Sequence, residues 1–225
     1  MSIIGNWLGY SVHRRRLDKF LFRATPLFHG HVIDIGGTSK PRGKFRLNRS
    51  EQVSYVTRIN ISAETAPDII ANAIALPCRE RSADTVLSTE VLEYVDDPAR
   101  MISECLRCLK PNGQLIISAP FTHRVDHPSD RWRYSRYWFE WQFRSNGVSD
   151  YSIHAMGGAW NSIAHIVKTS ILKSNQFIRP WLALLTMPLI ETLTLIDDLF
   201  INDSDQSDWT TGYFCIARKP GLPDK

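Results

Sequence analysis

The sequence has no long apolar run and few cysteines. Its longest apolar stretch, residues 181–190, is ten residues long and includes Thr186 and Pro188, whereas a helix that crosses a bilayer needs about 20. The N-terminus lacks the apolar segment and cleavage site of a secretory signal. Four cysteines in 225 residues are too few for a disulfide framework. Together these features predict a reducing, cytoplasmic location.

The sequence also gives little support for metal binding or for nucleic-acid binding. Cys105 and Cys108 are spaced as C-x-x-C, but they fall inside a helical pattern with no second pair, so we expect them in the core and expect no metal site. The net charge is only +4, and residues 1–30 account for it with five Lys or Arg against Asp18. The balanced remainder argues against a nucleic-acid partner.

One stretch lacks the third glycine of a dinucleotide fingerprint. Residues 32–35 are a short apolar run that ends at Gly36 and Gly37, which predicts a buried strand leading into a ligand-binding turn. Without G-x-G-x-x-G, NAD and FAD are disfavoured. A cofactor with no phosphate, such as S-adenosylmethionine, fits the turn. Asp34 could orient this turn or accept a hydrogen bond from a ligand amine, although a plain strand and turn would give the same pattern.

Further strands and helices alternate along the chain, which predicts a mostly parallel sheet with right-handed crossovers. Asp97 and Pro98 are a helix start signal, whereas Pro41 and Gly43 predict a loop or a shortened helix after the glycine turn. The predicted strands are residues 53–61, 67–73, 84–88, 115–118 and 148–154.

The motifs V-I-D-I-G-G, P-D-I-I-A-N-A-I-A-L-P, S-A-D-T-V-L-S-T-E-V-L-E-Y-V-D-D-P and L-K-P-N-G-Q-L-I-I-S-A-P occur in order. With this series, residues 31–155 resemble a class I S-adenosylmethionine-dependent methyltransferase, of a bacterial group often met near glycan-assembly genes. The resemblance implies an α/β, Rossmann-like, seven-stranded and mostly parallel sheet with flanking helices and a helical insertion before the last strand. It implies cofactor contacts from Asp34, Gly36, Gly37, Asn60, Asn72, Ala73, Thr89 and Glu90. Asn60 and Asn72 stand where the family usually has acids.

A charged and aromatic segment directly follows the fifth predicted strand. His127, Asp130 and Arg133 match most of an H-x-x-P-x-D-x-x-R-Y pattern of the same group. They could supply a base, a carboxylate that orients it, and a fixed cation. The alternative is that Asp130 and Arg133 only tie down a loop. We expect the aromatic residues that follow to be helix core: Tyr137, Trp138 and Trp141.

Two helical regions surround this core in the predicted single domain, residues 1–225. Residues 1–30 form an N-terminal cap, which either packs on the domain over the cofactor or lies on an anionic membrane as a basic amphipathic helix. Residues 31–155 form the cofactor-binding core. Residues 156–205 form a helical insertion that could be a lid, a homodimer face or a peripheral membrane contact. Residues 206–225 hold the last strand and the tail.

The expected function is methyl transfer from S-adenosylmethionine to an oxygen of a small acceptor, a sugar or glycan intermediate, with His127 as base. Two alternatives remain open. The replacements at Asn60 and Asn72 also suit a non-catalytic cofactor-binding or scaffold relative, because a neutral acceptor makes weaker bonds than a carboxylate. The basic N-terminus and the apolar insertion suit a methyltransferase that acts on a lipid or quinone at a membrane.

Overall fold

The computed structural model describes residues 3–39, 43–47, 50–200 and 208–222, except the side chains of residues 3, 4 and 200. A seven-stranded sheet with strand order β3-β2-β1-β4-β5-β7-β6 forms its centre. The strands are Gly30–Ile35 (β1), Val53–Asn60 (β2), Ile69–Ile70 (β3), Ala83–Thr89 (β4), Leu109–Pro120 (β5), Asp150–Ala155 (β6) and Gly212–Arg218 (β7). Strands β1 to β5 pair in parallel and β7 is antiparallel to both its neighbours. The predicted fold class is confirmed.

Six α-helices and three short 3₁₀ turns are described. The α-helices are Ile3–Gly9 (α1), Val12–Arg23 (α2), Pro98–Cys108 (α3), Arg136–Ser145 (α4), Ala159–Lys173 (α5) and Arg179–Phe200 (α6). The 3₁₀ turns are Thr25–Leu27, Ala63–Thr65 and Leu92–Tyr94. No described residue between β1 and β2 is α-helical, as the breaker residues there predict. Pro41 and Arg42 of that predicted loop lie outside the described residues, as do 201–207 and 223–225.

The β4–α3–β5 unit follows from its sequence signals. Asp97 caps α3 by accepting a hydrogen bond from the Arg100 amide at 3.0 Å, and Pro98 is the first helical residue. Cys105 and Cys108 are fully buried in the core, as predicted. Strand β5 starts at Leu109, earlier than the predicted residue 115, because Lys110–Gly113 join the strand through an irregularity in its pairing with β4.

The N-terminal region is two helices that pack on the domain. Helix α1 ends at Gly9, and Ser11 caps α2 by accepting from the Arg14 amide at 3.1 Å. Phe20 stacks on Phe214 of β7 at 5.3 Å between ring centroids. Because α2 buries an apolar face against the sheet, it is part of the fold and does not lie free on a membrane.

The predicted helical insertion is confirmed between β6 and β7, and a buried carboxylate ties it down. Asp197 of α6 accepts hydrogen bonds from the amides of Gly158, at 2.8 Å, and Asn161, at 3.1 Å, at the N-terminus of α5. It also accepts from the Asn161 side chain and pairs with Arg16 of α2. Asp197 therefore satisfies otherwise unpaired helix amides and a buried guanidinium together.

The prediction that the aromatic residues of α4 are helix core is corrected by the structure. Phe139 and Phe143 are fully buried, whereas Tyr137 is 73% and Trp141 is 62% exposed. Trp138 is partly buried and packs against the core. One helical face meets the sheet, and the positions four residues apart that lie on it are 139 and 143, so Tyr137 and Trp141 project to the other side. None of the helices in the described part is long and apolar enough to cross a membrane.

Removing the Asp197 carboxylate tests the tether of the insertion. We expect Asp197→Ala to lower the free energy of unfolding by about 3 kcal/mol or more, because it leaves the buried α5 amides without their acceptor and removes one of the two carboxylates that pair with Arg16. Asp96→Ala, which removes an exposed ion pair with Arg131, should cost less than about 1 kcal/mol. Urea unfolding of both variants measures the difference, and equal midpoints would contradict the assigned role.

Candidate active site at the carboxyl edge of the sheet

The glycine turn after β1 is in contact with the exit of β4. Gly36 has φ +77°, and a Cβ placed on it would lie 2.3 Å from Cγ2 of Val91. A Cβ on Gly37 would lie 2.6 Å from the Asp34 carboxylate. Both glycines are therefore required by the protein's own packing. This contact places the turn directly beside Glu90 and Val91, which follow β4.

Asp34 carries a carboxylate to which none of the described residues donates a hydrogen bond. The pKa of Asp34 is raised to about 7, mainly by burial. The charge of Arg58 acts to lower this pKa, and the charge of Asp68 acts to raise it. Asp34 is partly exposed, and a carboxylate without a donor is unfavourable when ionised to the extent that its surroundings exclude water. An ammonium group of a bound ligand would supply both the missing donor and the opposite charge, so this position fits the amino-acid end of S-adenosylmethionine.

Asn60 and Asn72 brace the loops that follow their strands. The Asn60 amide donates to the Gly37 carbonyl at 3.2 Å, and its oxygen accepts from the Ser62 amide at 3.1 Å. The Asn72 oxygen accepts from the Ile74 amide at 3.2 Å. A carboxylate could not donate to Gly37, so Asn60 shapes the turn in a way that an acid could not. Ala73 is buried and Thr89 is half-buried, with Thr89 opposite Ser118 in the β4–β5 register.

Glu90 forms a buried ion pair with His13, which the sequence pattern did not reveal. His13 Nε2 lies 2.6 Å from one Glu90 carboxylate oxygen, and the Ser118 hydroxyl donates to the other at 2.7 Å. Glu90 has φ +56°, a left-handed conformation uncommon outside glycine and often found at functional sites. Glu90, predicted as a cofactor contact, has both carboxylate oxygens bound to protein groups.

Both ring nitrogens of His13 have hydrogen-bond partners in the protein. The Thr211 hydroxyl donates its one hydrogen to the Met156 carbonyl at 2.7 Å, so its oxygen accepts from His13 Nδ1 at 3.1 Å. Burial by itself raises the pKa of Glu90, but the charge and hydrogen bond of His13 outweigh burial and hold that pKa at about 2. Both ring nitrogens of His13 therefore lie within hydrogen-bond distance of an oxygen that can accept, and a protonated ring forms an ion pair with Glu90.

Two more histidines complete a cluster with His13. The ring centroids of His123 and His165 lie 5.7 Å and 5.9 Å from that of His13, and 5.1 Å from each other. Both ring nitrogens of His165 are buried without a hydrogen-bond partner. Burial, with the nearby histidine charges, lowers the pKa of His165 to about 3. We call His13, His123, His165 and Glu90 the histidine cluster. In the described residues no group of His, Cys, Asp or Glu is placed to hold a metal ion.

His123 has the properties of a general base. Its Nδ1 lies 2.7 Å from the Arg124 carbonyl, and because a carbonyl only accepts, Nδ1 carries the hydrogen. Nε2 is then left with a lone pair, and no described residue bonds to it. Burial lowers the pKa of His123, and the His13 charge acts in the same direction. The ring is therefore neutral at pH 7 and can accept a proton.

The predicted trio of His127, Asp130 and Arg133 is divided by the structure. Asp130 is buried and accepts from Arg133 Nη2 at 2.9 Å, and Arg133 also donates to the His123 and Arg124 carbonyls at 3.3 Å. His127 is exposed, and its Nδ1 accepts from the Ser129 amide at 3.1 Å. The expectation that Asp130 orients the His127 ring is wrong, because the Asp130 carboxylate bonds to Arg133 and to the Asp126 amide. Its pairing with Arg133 does hold the loop beside His123.

Comparison with known proteins supports the fold and part of the sequence assignment. Residues 37–117 match a family model described as a methyltransferase domain. A probable S-adenosylmethionine-dependent methyltransferase of Mycolicibacterium smegmatis is 39% identical over 49 residues, 22% of this chain and 19% of that protein. A ubiquinone biosynthesis O-methyltransferase of Sodalis glossinidius is 25% identical over 124 residues, 48% of this chain and 49% of that protein. The chain thus spans half or less of the length of these curated relatives.

Solved structures extend the similarity to nearly the whole described chain. Phosphoethanolamine N-methyltransferase 2 of Haemonchus contortus, solved with S-adenosyl-L-methionine, has a TM-score of 0.59 and 16% identity, covering 92% of this chain and 52% of that one. A S-adenosylmethionine-dependent methyltransferase of Archaeoglobus fulgidus has a TM-score of 0.57 and 15% identity, covering 92% and 94%. The described chain therefore has the Rossmann-like fold of these S-adenosylmethionine-dependent methyltransferases, and its residues 37–117 match the methyltransferase-domain family model.

Proposed function

We propose that this protein transfers the methyl group of S-adenosylmethionine to an oxygen of a small hydroxylated acceptor. The observation that carries the proposal is the placement of two incomplete groups at one sheet edge: the unpaired Asp34 carboxylate and the free Nε2 of His123. Val91 links the two regions, because its side chain contacts Gly36 and it directly follows Glu90 of the histidine cluster in sequence. A cofactor site and a base site at the same sheet edge suit a transfer reaction.

The residues of the glycine turn would hold the cofactor. Asp34 would accept from its amine, Gly36 and Gly37 would admit it to the main chain, and Asn72 and Ala73 would lie beside the adenine, as the family resemblance implies. The bound cofactor would supply an electrophilic methyl group on a sulfonium centre. The protein's own contribution would be alignment of the acceptor oxygen with that methyl group, since effective molarities of oriented groups are large.

His123 would take the acceptor proton at Nε2. Its Nδ1 hydrogen bond to the Arg124 carbonyl keeps the ring in the required tautomer. Arg133, which is paired with Asp130, fixes this segment by donating to the carbonyls of His123 and Arg124. Both ring nitrogens of His13 and both carboxylate oxygens of Glu90 already have hydrogen-bond partners within the protein. Their role would be to hold the walls of the acceptor site.

The acceptor class has two candidates. A sugar or glycan acceptor rests on the family resemblance alone. A lipid-borne phenol or quinol is favoured by two observations: relatives named as ubiquinone biosynthesis O-methyltransferases, and the exposed apolar side chains of α5 and α6. We therefore place the lipid-borne acceptor first. A scaffold without activity remains the outcome if no acceptor takes up a methyl group and no cofactor analogue binds.

Cofactor binding should depend on pH through Asp34. Its carboxyl is protonated to a large extent at pH 6 and ionised at pH 8, since its pKa is raised to about 7. An ammonium ligand binds the ionised form, so S-adenosylhomocysteine should bind up to about tenfold more tightly at pH 8 than at pH 6. Asp34→Asn should weaken binding and remove this dependence. Titration calorimetry measures both, and an affinity that does not change with pH would exclude Asp34 as the amine partner.

The ligand-free protein should show the opposite trend. Because the folded-state pKa of Asp34 lies above the unfolded value, its contribution to stability is fully present below pH 4 and is lost as pH rises toward 7. The stabilisation that Asp34→Asn brings to the ligand-free protein should therefore increase over that interval. Melting temperatures of both forms at pH 5 and pH 7 provide the comparison.

Paired histidine variants decide which side chain is the base. We expect His123→Ala to reduce turnover by ~10²–10⁴-fold, the usual contribution of a general base, while S-adenosylhomocysteine still raises the melting temperature. His127→Ala is the matched control from the same loop and should keep nearly full turnover. Methyl uptake by quinols, phenols and glycan fragments is the assay. Loss of turnover in His127→Ala alone would restore His127 as the base.

A further inference from the structure

The outer surface of the helical insertion is largely apolar. Among the described residues, 21 large hydrophobic side chains are exposed, and 11 of them lie on α5, α6 and the turn between them. They are Trp160, Ile163, Ile166, Phe177, Ile178, Trp181, Leu184, Leu185, Leu189, Leu195 and Leu199. Concentration on one hairpin distinguishes this set, called here the insertion face, from hydrophobic side chains scattered singly over a surface.

Helix α6 turns one continuous apolar side away from the protein. Ala183, Ile190, Thr194 and Asp197 are its buried positions, and they share one face at 3.6 residues per turn. Trp181, Leu185 and Leu189 lie on the opposite face at 72%, 78% and 57% exposure. A helix of a soluble domain would normally carry charged residues there.

The charges around the insertion face are positive. Residues 159–190 contain Lys173, Arg179 and the buried Lys168, and no Asp or Glu. The acids of α6 that follow are neutralised by α2: Glu191 pairs with Arg15 at 2.7 Å, and Asp198 pairs with Arg16 and Lys19. Lys173, at the end of α5, is exposed beside Phe177 and Ile178.

A shallow basic depression borders the same helices. It has a volume of about 490 Å³ on the outer side of α2 and brings three cationic side chains together with one buried acid. Its lining is Tyr10, Arg15, Asp18, Lys19, Phe22 and Arg23. Since Arg15 and Lys19 also bind the acids of α6, the depression adjoins the insertion face.

We propose that the insertion face docks on the surface of an anionic lipid bilayer. An exposed apolar side with tryptophan, bordered by Lys173 and by the basic residues of α2 that pair with Glu191 and Asp198, has the composition of helices that lie in a membrane interface. A second copy of this chain is a poorer partner, because dimerisation through this face would bring the same cations together. The proposal concerns binding and stands apart from the proposed methyl transfer.

Docking here would bring a lipid-borne acceptor close to the histidine cluster. His165 lies on the buried side of α5, and Ile163 and Ile166 lie on its exposed side. A helix with side chains is about 10 Å across, so only this one helix separates the bilayer from the cluster. The acceptor would not have to leave the membrane completely to reach the sheet edge.

Vesicle sedimentation of the full chain tests the proposal. The probes are vesicles of phosphatidylcholine with 30% phosphatidylglycerol and vesicles of phosphatidylcholine alone, at low salt without cofactor. The test variant is Trp181→Glu with Leu185→Glu. The matched control is Trp141→Glu, which changes a tryptophan exposed by 62% on α4. Circular dichroism melts confirm that both variants fold.

We expect the wild type and Trp141→Glu to pellet with the anionic vesicles, and more than with the neutral ones. The double variant should bind at least about tenfold more weakly, because two large apolar contacts are lost. Failure of the wild type to pellet with anionic vesicles, or equal pelleting of the double variant, would overturn the proposal. A wild-type dimer that only the double variant dissociates, without vesicle binding, would assign the face to a second copy. Because the assay contains no cofactor or acceptor, a negative result would leave the methyl-transfer proposal unaffected.

Discussion

The buried ion pair between Glu90 and His13 is the constraint on which the sheet edge depends. A carboxylate and an imidazolium removed from water are stable only when their remaining hydrogen-bonding groups are also satisfied. Ser118 and Thr211 provide that satisfaction from β5 and from the residue before β7. The pair therefore joins the N-terminal helix to three strands. Removal of either partner would leave an uncompensated charge inside the protein.

The position of His13 depends in turn on a glycine. A Cβ on Gly212 would lie 2.8 Å from the His13 ring and 2.6 Å from the Ala119 carbonyl. The missing side chain lets α2 approach the start of β7 closely enough for its histidine to reach Glu90. At the same edge, the fixed charge of His13 helps to lower the pKa values of His123 and His165. Close packing thus sets the electrostatics of the candidate active site.

Helix α5 connects the two surfaces for which we propose functions. Its buried side contributes His165 to the histidine cluster, and Asp197 of α6 fixes its first turn. Its exposed side belongs to the insertion face. Any movement of this helix on binding a partner would be transmitted to the cluster through the packed side chains between them. An insertion between β6 and β7 can serve both surfaces because it covers the carboxyl edge from outside.

Local signals were sufficient for most of the architecture. Apolar runs that end in glycine, the Asp97–Pro98 cap and the alternation of strands with a helix predicted the parallel sheet, since each depends on neighbours in the chain. Predictions that depended on which side of a helix meets the sheet were less successful. Tyr137 and Trp141 fit a helical pattern, but which side of α4 meets the sheet depends on the position of the sheet. His127 and Asp130 are close in sequence, but the loop turns between these two residues. Asp130 therefore pairs with Arg133 and not with His127.

The sequence by itself determined most of the individual strands and helices, the glycine turn with Asp34, and the presence of an apolar insertion. These features follow from residue type and spacing along the chain. Only the tertiary structure decided that His13, Glu90, His123 and His165 form one cluster, although as many as 152 positions separate them in sequence. No periodicity links such residues, because their contact arises from the packing of α2 and α5 over the sheet edge. The same packing left the apolar side of α6 facing outward, a choice that composition alone does not make.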